Sequence, residues 1–240
     1  FERDGVDASQ VAVLPDRTTG VAFIAYFAGG GRRFIYHWRH AAAGCLAPEH
    51  VHAGYFEAAR WLHLTGCNLA ASPTAKEACY KAMELLPAGA RVSFDANIRP
   101  ELLTIEDIRG LVGPALERAD VILPSLTEAA MLTGMDTDEQ GCQLWASQGK
   151  TVVLKKGAKG CRIYSGKTAI DVPGFVVHEV DPTGAGDSFC AGFTVAMLEN
   201  MPLEQAGRFA NAVGALAVTR LGPMEGAPDR PQVMELLGRS

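Results

Sequence analysis

The chain has 240 residues, 48% of them hydrophobic, with 22 Lys and Arg against 27 Asp and Glu and a formal net charge of -5. This is enough apolar material for one large α/β domain, and the scattered basic residues argue against nucleic acid as a partner. Six cysteines without a C-x-x-C pair argue against a zinc site or a dense disulfide framework, and no apolar run reaches the roughly 18 residues of a membrane span. A cytoplasmic protein with no membrane partner is the expectation. The opening Phe1, without a secretory pattern after it, points to a sequence that begins inside a longer gene product.

In chain order, TGVAFIAYFAGGGRRFIYHW (19–38) reads as two β runs around Gly29, Gly30 and Gly31, because β-branched and aromatic residues flank a flexible corner. No helical pattern follows those glycines, so a hairpin turn is favoured over a phosphate loop. A helical stretch is expected at about 55–60, then the strand WLHLTG, a helix at about 74–86, the strand RVSFD, a helix at about 105–119 and the strand DVILP. One further helix starts near Thr127, followed by the strand TVVLKKG, the hairpin CRIYSGKTAIDVP and a helix through the apolar run 189–198. Strands alternating with helices over short connections imply a mostly parallel sheet with helices on both faces, and a ligand at the carboxyl ends of the strands. Polar residues fall at four of those ends, at 65–66, 95–99, 125–128 and 156–157. The early hairpin, at about 19–40, is too small to hold a core and reads as a lid over that rim.

The stretch DPTGAGDSFCAGF (181–193) places Gly184, Ala185 and Gly186 at the start of a helix. Backbone N–H groups at a helix start favour an anion, and glycine lets a phosphoryl group approach closely. A β-branched side chain at Gly186 is expected to block that approach and to resist a positive φ. Asp187 then has two readings, a base for an attacking hydroxyl or a residue that only caps the helix. The motif lacks the Gly-Lys-Ser/Thr ending of a Walker loop and the third glycine of a dinucleotide fingerprint.

The same stretch resembles the C-terminal signature of the ribokinase, or PfkB, family of sugar kinases, and FANAVGALAVTRLGPMEGAP (209–228) resembles the nucleotide-side helix and loop that follow it. The resemblance implies a ribokinase-like three-layer α/β/α sandwich with a small β lid, spanning 1–240 as a single domain without the family's first strands. It also implies ATP and Mg²⁺ as cofactors, with K⁺ an optional third. Asp187 is the implied base, and Gly184, Ala185 and Gly186 the anion hole. Glu128, in SLTE where many members have N-x-x-E, is the implied Mg²⁺ residue through water, with Ser125 in place of the family's Asn. Lys156, Gly157 and Asn211 are candidates for the nucleotide site. Lys155 and Lys156 follow a strand, where exposed, solvated lysines are the norm. Asp181 and Thr183 are candidate ligands for the monovalent cation. SFDANIRPELL (93–103) and FIYHWRHAAAG (34–44) are similar to the 2-keto-3-deoxygluconate kinases within the family. By that resemblance Arg39 meets the carboxylate of a sugar acid, His37 contacts a hydroxyl, and Arg99 neutralises phosphate or holds the acid. Asp95 and Asn97 are equally readable as a tight turn. The expected activity is phosphorylation of 2-keto-3-deoxygluconate to its 6-phosphate by a homo-oligomer, with fructokinase, ribokinase and nucleoside kinase as alternatives and a non-catalytic nucleotide-binding regulator as the rival from another class.

Overall fold

The computed structural model describes residues 1–27, 32–37, 40–98 and 103–238. Strands β1 (Val21–Tyr26) and β2 (Arg32–His37) pair antiparallel, Val21 opposite His37 and Tyr26 opposite Arg32. This is the hairpin expected from the sequence, although its glycine corner lies outside the described residues.

The main sheet has six strands in chain order, β3 (Trp61–Thr65), β4 (Arg91–Asp95), β5 (Val121–Ile122), β6 (Thr151–Lys155), β7 (Cys161–Ser165) and β8 (Thr168–Val172). The first four are parallel, β7 pairs antiparallel with β6, and β8 pairs antiparallel with β7. Between the parallel strands lie α1 (Gly66–Leu69), α2 (Pro73–Glu84), α3 (Ile105–Arg118), α4 (Glu128–Thr133) and α5 (Asp138–Ser147). After the sheet come α6 (Ala185–Leu198), α7 (Leu203–Ala217) and α8 (Arg230–Gly238).

Successive strand residues serve two separate cores, as the period of two requires. Val92, Phe94, Ile122, Val152 and Leu154 join Cys79, Val112, Leu132 and Trp145 from α2 to α5. Val121, Leu123, Val153 and Ile163 join Phe189 and Phe193 of α6, Phe209 and Val213 of α7 and Val233 of α8. Each fully buried side chain of this size contributes about 1.5–3 kcal/mol, so α6 is anchored firmly along its length. A Cβ on Gly192 would lie 3.0 Å from Val213 and 3.2 Å from the Ala210 backbone, so α6 and α7 pack closely.

Three sequence expectations change. The helix at 55–60 is replaced by a 3₁₀ turn, Ala53–Tyr55, continued by a single reverse turn, since so short a stretch cannot offset helix nucleation. The helix expected from Thr127 is two helices, because Gly134 at φ 75 ends α4 and a Thr137–Gln140 capping box starts α5. The strand in DVILP contracts to Val121–Ile122. Among the described residues no helix is long and apolar enough to cross a membrane.

Candidate active site

Because β3 to β6 are parallel, their carboxyl ends share one rim, which gathers Thr65, Asp95, Ser125 and Lys155. The polar residues there are unusually well buried, Asp95 at 2% and Glu128 at 8% exposure. Asp95 Oδ1 accepts the Asn97 N–H at 3.2 Å, a tight Asx turn, while Oδ2 accepts from Lys155 Nζ at 2.7 Å. The turn expected at Asp95 is thus present, and the same carboxylate also holds Lys155.

Lys155 corrects the sequence expectation most directly. It is not a solvated lysine after a strand but a buried one, its side chain 10% exposed and that of its partner Asp95 3% exposed. Its ammonium also donates to Cys190 Sγ at 3.7 Å, and that thiol donates to Asp95 Oδ2 at 3.4 Å. Burial disfavours the ammonium, while Cys190, Asp95 and Glu128 act in the other direction, and its pKa lies above the ordinary value. Burial pushes the Cys190 thiol well up, so it stays protonated. A Cβ built on Gly186 would lie 3.8 Å from Lys155 Nζ, which puts the ammonium directly beneath the first turn of α6.

That first turn is pinned from behind. Asp181 Oδ1 accepts the Thr183 N–H at 2.9 Å and Oδ2 the Gly222 N–H at 3.0 Å, while the Val180 N–H donates to Val218 O at 2.8 Å. Gly184 has φ 79, and a Cβ there would sit 2.3 Å from Pro223 O. The positive φ expected at Gly186 belongs to Gly184 instead. The Ala185 N–H turns back to Pro182 O at 3.3 Å, so Gly186, exposed and bare of side chain, offers the open approach. Asp187 is exposed in the same turn, beyond the Gly184 N-cap position, and is not the N-cap itself. Gly184→Ala is expected to cost about 1–3 kcal/mol by overpacking, whereas Gly186→Ala stays within about 0.5 kcal/mol. Urea unfolding midpoints of the two variants check this, and equal midpoints would refute the contrast.

Glu128 Oε2 accepts the Ser125 N–H at 2.7 Å and Oε1 the Ile98 N–H at 3.0 Å. Burial pushes its carboxyl up, against the downward pull of those two amides. Each oxygen keeps a lone pair for a further partner.

Other expected site residues are placed elsewhere. Lys156 Nζ reaches Asp171 of β8 at 3.1 Å, away from the Lys155 cluster. Gly157 opens a 3₁₀ turn at φ 59, a conformation that favours glycine. Asn211 does not present its amide to an open groove. It is 7% exposed and its Nδ2 donates to Val172 O and Pro173 O, each at 3.1 Å, tying α7 to the end of β8. Thr183 contributes its backbone N–H to the Asp181 clamp. His37 is exposed on β2, edge-on to Phe23 at 6.3 Å. Arg39 and Arg99 lie outside the described residues.

The chain is similar to known proteins over nearly its whole length. The chain is 32% identical to 2-dehydro-3-deoxygluconokinase of Bacillus subtilis over 249 residues, covering 99% of this chain and 75% of that protein. Against fructokinase-1 of Oryza sativa the identity is 30%, covering 98% of this chain and 76% of the other. A solved Escherichia coli structure assigned to ribokinase II, in complex with ATP and Mg²⁺, superposes with a TM-score of 0.87 at 35% identity, covering 95% of this chain and 73% of that one. The family model described as pfkB family carbohydrate kinase matches residues 1–230, and the chain accordingly belongs to the pfkB family of carbohydrate kinases.

Proposed function

We propose that this chain transfers the γ-phosphoryl group of ATP to a hydroxyl of 2-keto-3-deoxygluconate, giving the 6-phosphate, with residues 1–240 acting as one kinase domain and the β1–β2 hairpin as its lid. The observation that carries the reading is the exposed carboxylate of Asp187 in the first turn of α6, above a buried ammonium. An attacking hydroxyl must lose its proton, and Asp187 accepts it. The Gly186 amide and the positive end of α6 receive the oxygens of the transferring group, and Lys155 adds a fixed positive charge below them.

Mg²⁺ bound with ATP neutralises charge on the phosphate oxygens. The donor set fits such an ion. Among the described residues no three His, Cys, Asp or Glu side chains cluster as a metal cage, and Mg²⁺ with nucleotide keeps several waters and needs only one or two carboxylates. Glu128, with a lone pair left on each oxygen, would hold it through water. Asp181, whose two oxygens accept the Thr183 and Gly222 N–H groups, would hold K⁺ at the same turn that it fixes.

The name of the Bacillus subtilis relative supports the acid-sugar acceptor, and the rice fructokinase keeps fructose as the second reading. Arg39, in FIYHWRH, separates the two, because only a sugar acid offers it a charge-assisted pair. Arg39→Ala is expected to raise KM for 2-keto-3-deoxygluconate by about 10- to 150-fold, the equivalent of roughly 1.5–3 kcal/mol for a charged hydrogen bond. Competition kinetics against fructose and ribose provide the measurement. Equal losses on acidic and neutral sugars would remove Arg39 from the carboxylate site and return the chain to the general sugar-kinase class.

A further inference from the structure

We propose that Asp138 is a positioning residue for the Glu128 carboxylate, acting through the backbone of Thr127. Three described non-glycine residues have positive φ, Asn97 at 35, Thr127 at 75 and Asn200 at 58. Asparagine tolerates this region, but a β-branched residue there is strained. Thr127 makes no side-chain cap hydrogen bond, so its hydroxyl does not account for the conformation. The turn over Leu126 and Thr127 is closed by the Glu128 N–H on Ser125 O at 3.2 Å, and it is further fastened by Asp138, from the first turn of α5. Its Oδ2 accepts the Thr127 N–H at 2.6 Å and its Oδ1 the Ala130 N–H at 2.9 Å.

The residue after Thr127 is Glu128, whose carboxylate is turned inward onto the Ser125 and Ile98 amides. One left-handed residue is thus fastened by Asp138 on its own amide and by Glu128 on the side chain that follows. α5 has no need of Asp138 for its own start, since Thr137 and Gln140 already form a reciprocal capping box there. Strain held in place by its surroundings concentrates at functional sites. Here it aims the single buried carboxylate of SLTE. The consequence for Mg²⁺ rests on the reading of Glu128 given above, whereas the Asp138–Thr127 clamp does not.

The test is a cycle of Asp138→Ala, Thr127→Gly and the double variant in the full-length protein. Two quantities are measured, the thermal midpoint without nucleotide or metal, and the Mg²⁺ concentration giving half-maximal velocity. Asp138→Ala is expected to lower the midpoint and to raise the Mg²⁺ requirement by about 10-fold, the lower end for loss of a partner that orients a ligand. Thr127→Gly removes the strain, so the double variant is expected to regain most of both losses. Loss of a helix-dipole charge on α5 would show no such rescue. Where Glu128→Gln raises the Mg²⁺ requirement, an unchanged requirement in Asp138→Ala overturns the proposal, and in every case a double variant no better than Asp138→Ala overturns it. Glu128→Gln in the same assay separates the two readings. If it leaves the Mg²⁺ requirement unchanged, the metal role of Glu128 fails, and the thermal cycle alone decides the clamp. A rescued midpoint then upholds it, and additive midpoints overturn it.

Discussion

Asp187→Asn is expected to lower kcat by about 10²- to 10⁴-fold, the range for loss of a general base, while ATP affinity stays near that of the parent protein. The substitution is nearly isosteric and leaves the α6 turn untouched. Gly184 remains the left-handed residue against Pro223 O, and Gly186 remains open above Lys155. On the proposed reading, only the proton acceptor is removed. If Asp187 served the helix alone, the same change would cost about 0.3–1 kcal/mol of dipole stabilisation and would leave turnover intact. Steady-state kinetics together with calorimetric titration of ATP distinguish the two cases. A variant with near-parent kcat would end the assignment of Asp187 as base and leave it as a helix-end charge.

The frame of the molecule was legible because its signals are redundant. WLHL, RVSF, DVIL and TVVLK are short apolar runs separated by helix-length segments, the pattern of strands covered on both faces. The glycine turn was legible in DPTGAG, although the positive φ fell on Gly184, where Pro223 O leaves no room for a Cβ, and not on Gly186. Lys155 was misread for a physical reason. Two adjacent lysines end the strand and nothing local tells them apart, but strand parity puts Lys155 on the side of Val153, facing α6, while Lys156 reaches Asp171. The charge that makes its burial tolerable, Asp95, is distant in sequence. Asn211 sits in an apolar helix and gave no sign that its amide is spent on the end of β8. Asp138 carried no local signal, since its bonds to the Thr127 and Ala130 amides form across the chain reversal that follows Gly134.

Lys155→Met is expected to destabilise the fold by about 3–5 kcal/mol, because it leaves the Asp95 carboxylate buried without its cation. Methionine fills much of the same volume, so the loss is electrostatic more than steric. The compensating change is Asp95→Asn, which removes the orphaned charge while the Asn97 N–H keeps an oxygen to bond at the turn. The double variant is expected to recover at least half of the lost stability, since a buried pair replaced as a unit costs far less than one member removed. Turnover separates structure from chemistry. The double variant regains the fold but still lacks a positive charge beneath Gly186, so its kcat stays low. Denaturant unfolding and single-turnover phosphoryl transfer, measured on all four proteins of the cycle, provide the check. A Lys155→Met protein within about 1 kcal/mol of the parent would place the pair among ion pairs of little net worth. Full turnover in the double variant would remove Lys155 from the phosphoryl site and leave the helix end as the sole source of positive potential there.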